Sequence, residues 1–398
     1  MPDGSVDCGV IGGGVIGLSI ARELAARGLS VAVVPGGPRK ESSSWAAAGI
    51  LPPAPMPVDI SSSSPNDALT AASDRLHHDW AVQLREETGI DNGLRRCGGL
   101  HLAGDESGLG RLAETAGEWR RRGARAELLS AGDVAADEPA FAAAVERGRI
   151  VGAMLLPDEM QIHSARHLEA VAASCRLRGV SILEGQEVRS IASSGGRIDS
   201  VETASDTITA AHWVLAAGAH SEKLAPALGL SLSTRPIRGQ IALLNPGRVI
   251  LSRIVNHGLD YMLQREDGRL LVGSTIEDVG FDPSTTPEVI ARLLAFAREL
   301  VSTLAHAPVE HAWAGLRPGS ADGLPTIGAI PGLDNAFVAA GHFRAGVHQS
   351  TGTAVIVADL VMGLRPSFPC GAFAVDRRID RSAAGGIDDY LARAAIGR

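Results

Sequence analysis

The sequence is poor in aromatic residues, in cysteine pairs, in basic runs and in long apolar stretches, and each shortage removes a class of protein. Aromatics are 4% of the 398 residues, and only two are tyrosines, Tyr261 and Tyr390. A tyrosine that falls inside a motif is therefore a candidate for chemistry. The four cysteines, Cys8, Cys97, Cys175 and Cys370, are widely separated with no C-x-x-C, which argues against a zinc site or a redox pair and for reduced thiols. Lys and Arg form no run longer than Arg120, Arg121 and Arg122, which reads as a solvated helix face. With a net charge of −8, this argues against a nucleic-acid or anionic-membrane surface. No apolar stretch reaches 18 residues without Gly or charge, and the N-terminus lacks a basic region. The expectation is a soluble, cytoplasmic protein without a signal peptide. Hydrophobic residues still make up 45% of the chain, ample for a large core in two domains.

What is present begins at Val6. A short apolar run to Ile11 reads as a buried strand, and Val15 to Ala26 has apolar residues at helical spacing. Gly12, Gly14 and Gly17 lie at the turn between them. Gly12 allows the tight turn, Gly14 lets backbone approach a pyrophosphate, and Gly17 lets helix and strand pack closely. The helix start offers free N–H groups and a partial positive charge to phosphates. A second strand, Ser30 to Val34, follows at βαβ length. One part of the dinucleotide pattern is missing. The acid that ends the second strand and holds a ribose hydroxyl is replaced by Pro35, Gly36, Gly37 and Pro38, with Glu41 the nearest carboxylate.

Small residues then recur where a chain would press against a bulky ligand. Ser43, Ser44, Ala47, Ala48, Gly49 and Ile50 follow the second strand. A strand near Ala211 ends in Ala217 and Gly218, and Val188 lies in a short strand before it. Gly341 to Gly346 joins a strand, Ala336 to Ala340, to an apolar helix expected over Thr351 to Met362. That helix start is a second place for negative charge. Ser164 is read as the cap of a helix to Arg178, and the residues after Pro366 as a surface tail. The strands between, including a hairpin around Glu266 to Gly268 and a strand ending at Arg317, form an antiparallel sheet. The fold class expected is α/β (α+β), a Rossmann-like nucleotide-binding domain with a second domain on an antiparallel sheet. Residues 1–85, 155–232 and 322–398 belong to the first, and 86–154 and 233–321 to the second.

Taken together, the glycine turn, the Ser44 to Leu51 stretch, Pro236 to Gln240, Asp267 to Gly273, Glu277 to Asp282, Trp313 to Gly319, Asp322 to Pro325 and Gly341 to Gly346 resemble the D-amino acid oxidase family of flavoproteins, especially its glycine-oxidase branch linked to thiamine biosynthesis. The resemblance spans almost the whole chain and implies FAD as cofactor. It places Gly12, Gly14, Val15, Ile16, Gly17, Ser43, Ser44, Ala47, Ala48, Gly49, Ile50, Val188, Ala217 and Gly218 on the cofactor. It adds Gly341, His342, Phe343, Arg344, Ala345 and Gly346. Arg317 would pair bidentately with a substrate carboxylate, Tyr261 would place its hydroxyl over it, and Arg344 would lie beside flavin and substrate. The implied reaction is oxidative deamination of glycine or another small amine, with hydride passing from Cα to flavin N5 and O2 as acceptor. The products are a 2-oxo acid, ammonia and peroxide. A sarcosine oxidase, a D-amino acid oxidase or dehydrogenase, and a non-catalytic flavin-binding protein are the alternatives. The implied partners are a small amine substrate and a second copy of the chain, with no metal. The stretch His348, Gln349, Ser350, Thr351 and Gly352 departs from the family, where apolar residues followed by Ala-Pro are usual, so the loop that the resemblance sets against the flavin is expected to carry extra polar groups.

Overall fold

The computed structural model describes residues 5–38, 40, 42–56, 64–380 and 386–396. Strand Val6–Ile11 is flanked in parallel by Val31–Val34 and Ala210–Leu215. These extend to a six-stranded sheet with Ser181–Ile182 at one edge and Ala336–Ala340 and the antiparallel strand Thr326–Ala329 at the other. Strands Val31–Val34 and Ala336–Ala340 are buried throughout and the C-terminal halves of Val6–Ile11 and Ala210–Leu215 are too, as parallel strands covered on both faces should be. Helices Val15–Ala26, Pro65–Thr88, Ser164–Leu177 and Gly346–Val361 pack with this sheet around one core that includes Leu18, Leu69, Leu168 and Ile356.

An eight-stranded sheet stands beside it, built on the long pair Thr234–Leu244 and Val309–Ser320. Its strands are antiparallel except for one parallel pair, Ile254–His257 with Gly99–Ala103. The register brings one row of side chains across it: His101, Asn256, Tyr261, Gly273, Ile241 and Trp313 are successive cross-strand partners. Cross-strand partners share a face, so this row faces one way. Helix Pro287–Leu300 covers the other face through Leu293, Ala297 and Leu300.

Three sequence expectations change. The helix expected from Thr351 begins at Gly346, so the polar residues His348, Gln349 and Ser350 form its first turn and are buried. Partners on helix Pro65–Thr88 make this possible: His348 Nε2 is 3.0 Å from Asp74, and Gln349 donates to Asn66 and Thr70 at 3.0 Å each. The helix starting at Ser164 is capped by His163, whose Nδ1 accepts from the Arg166 N–H, while Ser164 is its first residue. The segment after Pro366 is not a surface tail. Phe373 and Ile387 are fully buried, and Arg377 pairs with buried Asp322 at 2.9 Å. Helix Ile387–Ile396 then returns the chain to the centre of the molecule.

Candidate active site

Between the two sheets lies a continuous cavity of about 1920 Å³. Ordinary small-ligand pockets hold roughly 300–1,000 Å³, so there is room for a dinucleotide and a substrate together. Every candidate residue named from the sequence lines it except Gly17. Gly17 instead packs the helix onto the turn, since a Cβ there would lie 2.0 Å from the Gly12 carbonyl oxygen. Gly12 itself has φ +124°, and a Cβ on it would meet the Ala216 carbonyl oxygen at 2.2 Å. Only glycine serves at either position.

Two helix N-termini open on this cavity. Helix Val15–Ala26 has Gly14 at its cap, no side-chain cap bond and no acid in its first turn; Ser44 accepts from the Val15 N–H at 2.9 Å. Helix Gly346–Val361 likewise lacks both a side-chain cap and an acid. Uncapped N–H groups and the helix dipoles therefore offer positive potential at both ends of the cleft. The preceding loop is fixed by Phe343 at φ 47°, whose N–H donates to the Pro318 carbonyl at 2.9 Å. His342, though on the cavity, is buried and turned toward Thr353 at 3.0 Å; burial lowers its pKa to about 3, so it stays neutral. The stretch from Ala46 to Gly49 is held from behind. Trp313 donates to the Ala46 carbonyl at 3.1 Å, and buried Arg265 donates to the carbonyls of Ala48 at 2.6 Å and Ile162 at 2.9 Å. Pro35, Gly36, Gly37 and Lys40 line the cavity where a ribose acid was expected, and Glu41 lies outside the described residues.

The sheet side carries the charged end. Trp313, Gly315 and Arg317 alternate along one strand, so all three face the cavity. The Arg317 guanidinium lies across Gly239, where a Cβ would come within 2.1 Å of Nη2. It donates to the Thr275 carbonyl and the Ser274 hydroxyl at 2.9 Å each, and no acid of the described residues lies within salt-bridge distance. Protein encloses it on every side but the cavity, and that burial, with Arg344 nearby, lowers its pKa to about 10. Tyr261 is buried beside it, its hydroxyl over Gly273 and sharing a hydrogen bond with Ser274; burial raises its pKa. The arrangement sets a cation and a hydroxyl on one cavity wall, both bonded to Ser274, with backbone and Ser274 holding the cation in place of a carboxylate.

The FAD dependent oxidoreductase family (DAO) matches residues 7–360. The chain belongs to this family of FAD-dependent oxidoreductases. It is 33% identical over 377 residues to glycine oxidase of Geobacillus kaustophilus, covering 94% of this chain and 98% of that one. It is 34% identical over 360 residues to glycine oxidase of Pseudomonas aeruginosa, covering 90% and 95%. The crystal structure of the G. kaustophilus enzyme superposes with a TM-score of 0.87 over 94% of this chain and all of that one. FAD is thus the cofactor, and the glycine cradle, the two uncapped helices and the cavity's size fit it. Cys370 is a free thiol and does not line the cavity. Among the described residues no cluster of metal-ligating side chains occurs and no helix is long and apolar enough to cross a membrane.

Residues the sequence did not single out also line this flavoprotein's cavity. Ser274 is seen only once Arg317 is placed; Tyr390 comes from the C-terminal helix and packs edge-on to Phe343, with Arg344 over its ring at 5.6 Å. Arg121 and Arg122 belong to the cavity wall rather than to a purely solvated face, and Arg122 pairs with Asp67. A Gly12→Ala variant is expected to store about 1–3 kcal/mol of backbone strain at the turn. Its FAD affinity should fall about tenfold or more, measured as the ratio of 450 nm to 280 nm absorbance after dialysis. A wild-type ratio would overturn this account of the turn.

Proposed function

We propose that this flavoprotein oxidatively deaminates glycine or another small amino acid or amine, with O2 as electron acceptor, in the cytoplasm, and that the two sheets mark a cofactor-binding and a substrate-binding domain. The observation that carries the reading is Arg317, a cation without an acid partner among the described residues, which opens on the cavity beside a buried tyrosine. Such a group is costly to enclose unless a ligand anion completes it. A substrate carboxylate does so bidentately.

Bound FAD supplies the two-electron acceptor for the amine. The chain supplies position and field. Arg317 and the Tyr261 hydroxyl hold the carboxylate and fix the direction of the Cα–H bond. Ser274 and the Thr275 carbonyl keep the guanidinium in one orientation, so the clamp needs no reorganisation on binding. The N-terminus of helix Gly346–Val361 favours negative charge at the inner end of the cleft. The substrate reacts as the neutral amine, and water converts the imine product to a 2-oxo acid and ammonia. The likeness to glycine oxidases of G. kaustophilus and P. aeruginosa supports a small substrate.

The test is an anaerobic visible spectrum of the holoenzyme with glycine, sarcosine and D-alanine in turn. Glycine or sarcosine should bleach the flavin bands, and admitting air should restore them with one peroxide per turnover. A flavin spectrum unmoved by all three would remove the small-amine reading.

A further inference from the structure

The row of side chains that carries Tyr261 continues past it to a second polar end of the same cavity. Asn256 and His101 are its next cross-strand neighbours, and both line the cavity with Glu159. His101 Nε2 is 3.1 Å from Glu159 Oε2, and Asn256 Nδ2 is 3.4 Å from the same nitrogen. One ring nitrogen serves one of these contacts at a time. When it donates to Glu159, the Asn256 amide is left to face the cavity.

Glu159 is the telling member. Among the described residues three carboxylates line the cavity; Asp67 and Glu187 are partly or well exposed, whereas the Glu159 side chain is 2% exposed. The backbone makes room for it: a Cβ on Gly99 would sit 1.6 Å from Oε2. His101 is the one side chain hydrogen-bonded to this carboxylate among the described residues. A carboxylate accepts up to about four hydrogen bonds, so a buried one with a single such partner beside a ligand cavity is an acceptor site for a cation or donor.

We propose that His101, Glu159 and Asn256 form a second substrate subsite, which takes the distal ammonium or guanidinium group of an amino acid or N-substituted glycine whose carboxylate is held at Arg317. The inference rests on the amine-oxidase reading and deepens it. The spacing sets the substrate length. From Gly273, beneath the Tyr261 hydroxyl, to His101 there are three strand spacings of about 4.8 Å, or roughly 14 Å. Allowing one hydrogen bond of about 3 Å at each end leaves about 8 Å. An extended chain of six bonds, at about 1.2 Å each, spans a little over 7 Å. That is the distance from carboxyl carbon to terminal nitrogen in 6-aminohexanoate and in the lysine side-chain path.

The test uses ligands that lack an α-amino group and so bind without turnover. Perturbation of the flavin spectrum of the FAD-loaded enzyme gives Kd for acetate, hexanoate and 6-aminohexanoate. The expected result is 6-aminohexanoate at least tenfold tighter than hexanoate in the wild type. That preference should vanish in Glu159→Gln and shrink in Asn256→Leu, with acetate binding unchanged in both. Equal binding of hexanoate and 6-aminohexanoate by the wild type would overturn the subsite, and this needs no variant to fold. A preference that survives Glu159→Gln would overturn it as well. Failure of acetate to bind, by contrast, would strike at the carboxylate clamp and the oxidase reading itself.

Discussion

Replacing Arg317 by leucine is expected to lower kcat/KM for glycine by two to four orders of magnitude while leaving oxidation of a simple amine within a few-fold. The guanidinium supplies two charge-assisted hydrogen bonds to the carboxylate in a site with little water, where losing one member of such a pair costs about 2–5 kcal/mol. The variant should fold. Among the described residues Arg317 has no acid partner, its bonds are to Thr275 and Ser274, and an enclosed cation gives way to an apolar side chain of smaller volume. Gly239→Ala should produce a similar loss by a different route, because its methyl group would occupy the place of the guanidinium. The pH profile carries a third signature. With its pKa lowered to about 10, Arg317 is charged below that value and neutral above it. Acetate affinity should stay flat between pH 7 and 9 and weaken about tenfold per unit once pH passes 10. Equal losses for glycine and for a simple amine in Arg317→Leu would refute the clamp.

The second large effect is acid lability. His77, His167 and His342 are buried, and burial lowers their pKa values to about 4, 3 and 3 from an ordinary 6.5. The folded chain therefore holds these rings neutral where the unfolded chain protonates them. Stability is full above pH 6.5 and is lost as pH falls from 6.5 toward 3–4. Each ring contributes up to about 1.4 kcal/mol per pH unit in that window, so three together remove several kcal/mol by pH 4.5. The consequence is local as well as global. His77 Nε2 lies 3.0 and 2.9 Å from the carbonyls of Val347 and His348, in the first turn of the helix that faces the cofactor. Thermal unfolding followed from pH 8 to pH 4.5 should show a steep fall in Tm below about pH 6, with flavin fluorescence released in the same transition. With His163 also lowered to about 4, His167→Gln, which keeps a polar group beside Asn92, should flatten the slope by about a quarter. A Tm independent of pH over this range would refute the assignment.

Much of the site was legible because its chemistry is local in sequence. Glycines at a strand-to-helix turn, small residues after the second strand and a cation closing a strand each carry their reason within a few residues. Gly17 keeps the packing role that the turn pattern gives it, since a Cβ there would lie 2.0 Å from the Gly12 carbonyl oxygen, and it does not line the cavity as the resemblance implied. The polar first turn after Gly346 reads as loop because His, Gln, Ser and Thr weaken a helix start in isolation. Asp74, Asn66 and Thr70, some 270 residues earlier, satisfy those side chains and let the helix begin five residues sooner.

The sequence alone determined the dinucleotide turn and the strand and helix pattern behind the two sheets, because hydrophobic period and turn chemistry act over short range; it was the resemblance to the D-amino acid oxidase family that pointed to Arg317 and Tyr261. Tertiary structure decided the rest. It set Arg317 across Gly239 without an acid, carried Tyr390 back to the cavity and lined up His101, Asn256 and Tyr261 across three strands. The physical reason is register: which residues of distant strands share a face is fixed by backbone pairing and core packing over the whole sheet, and no local pattern encodes that partnership.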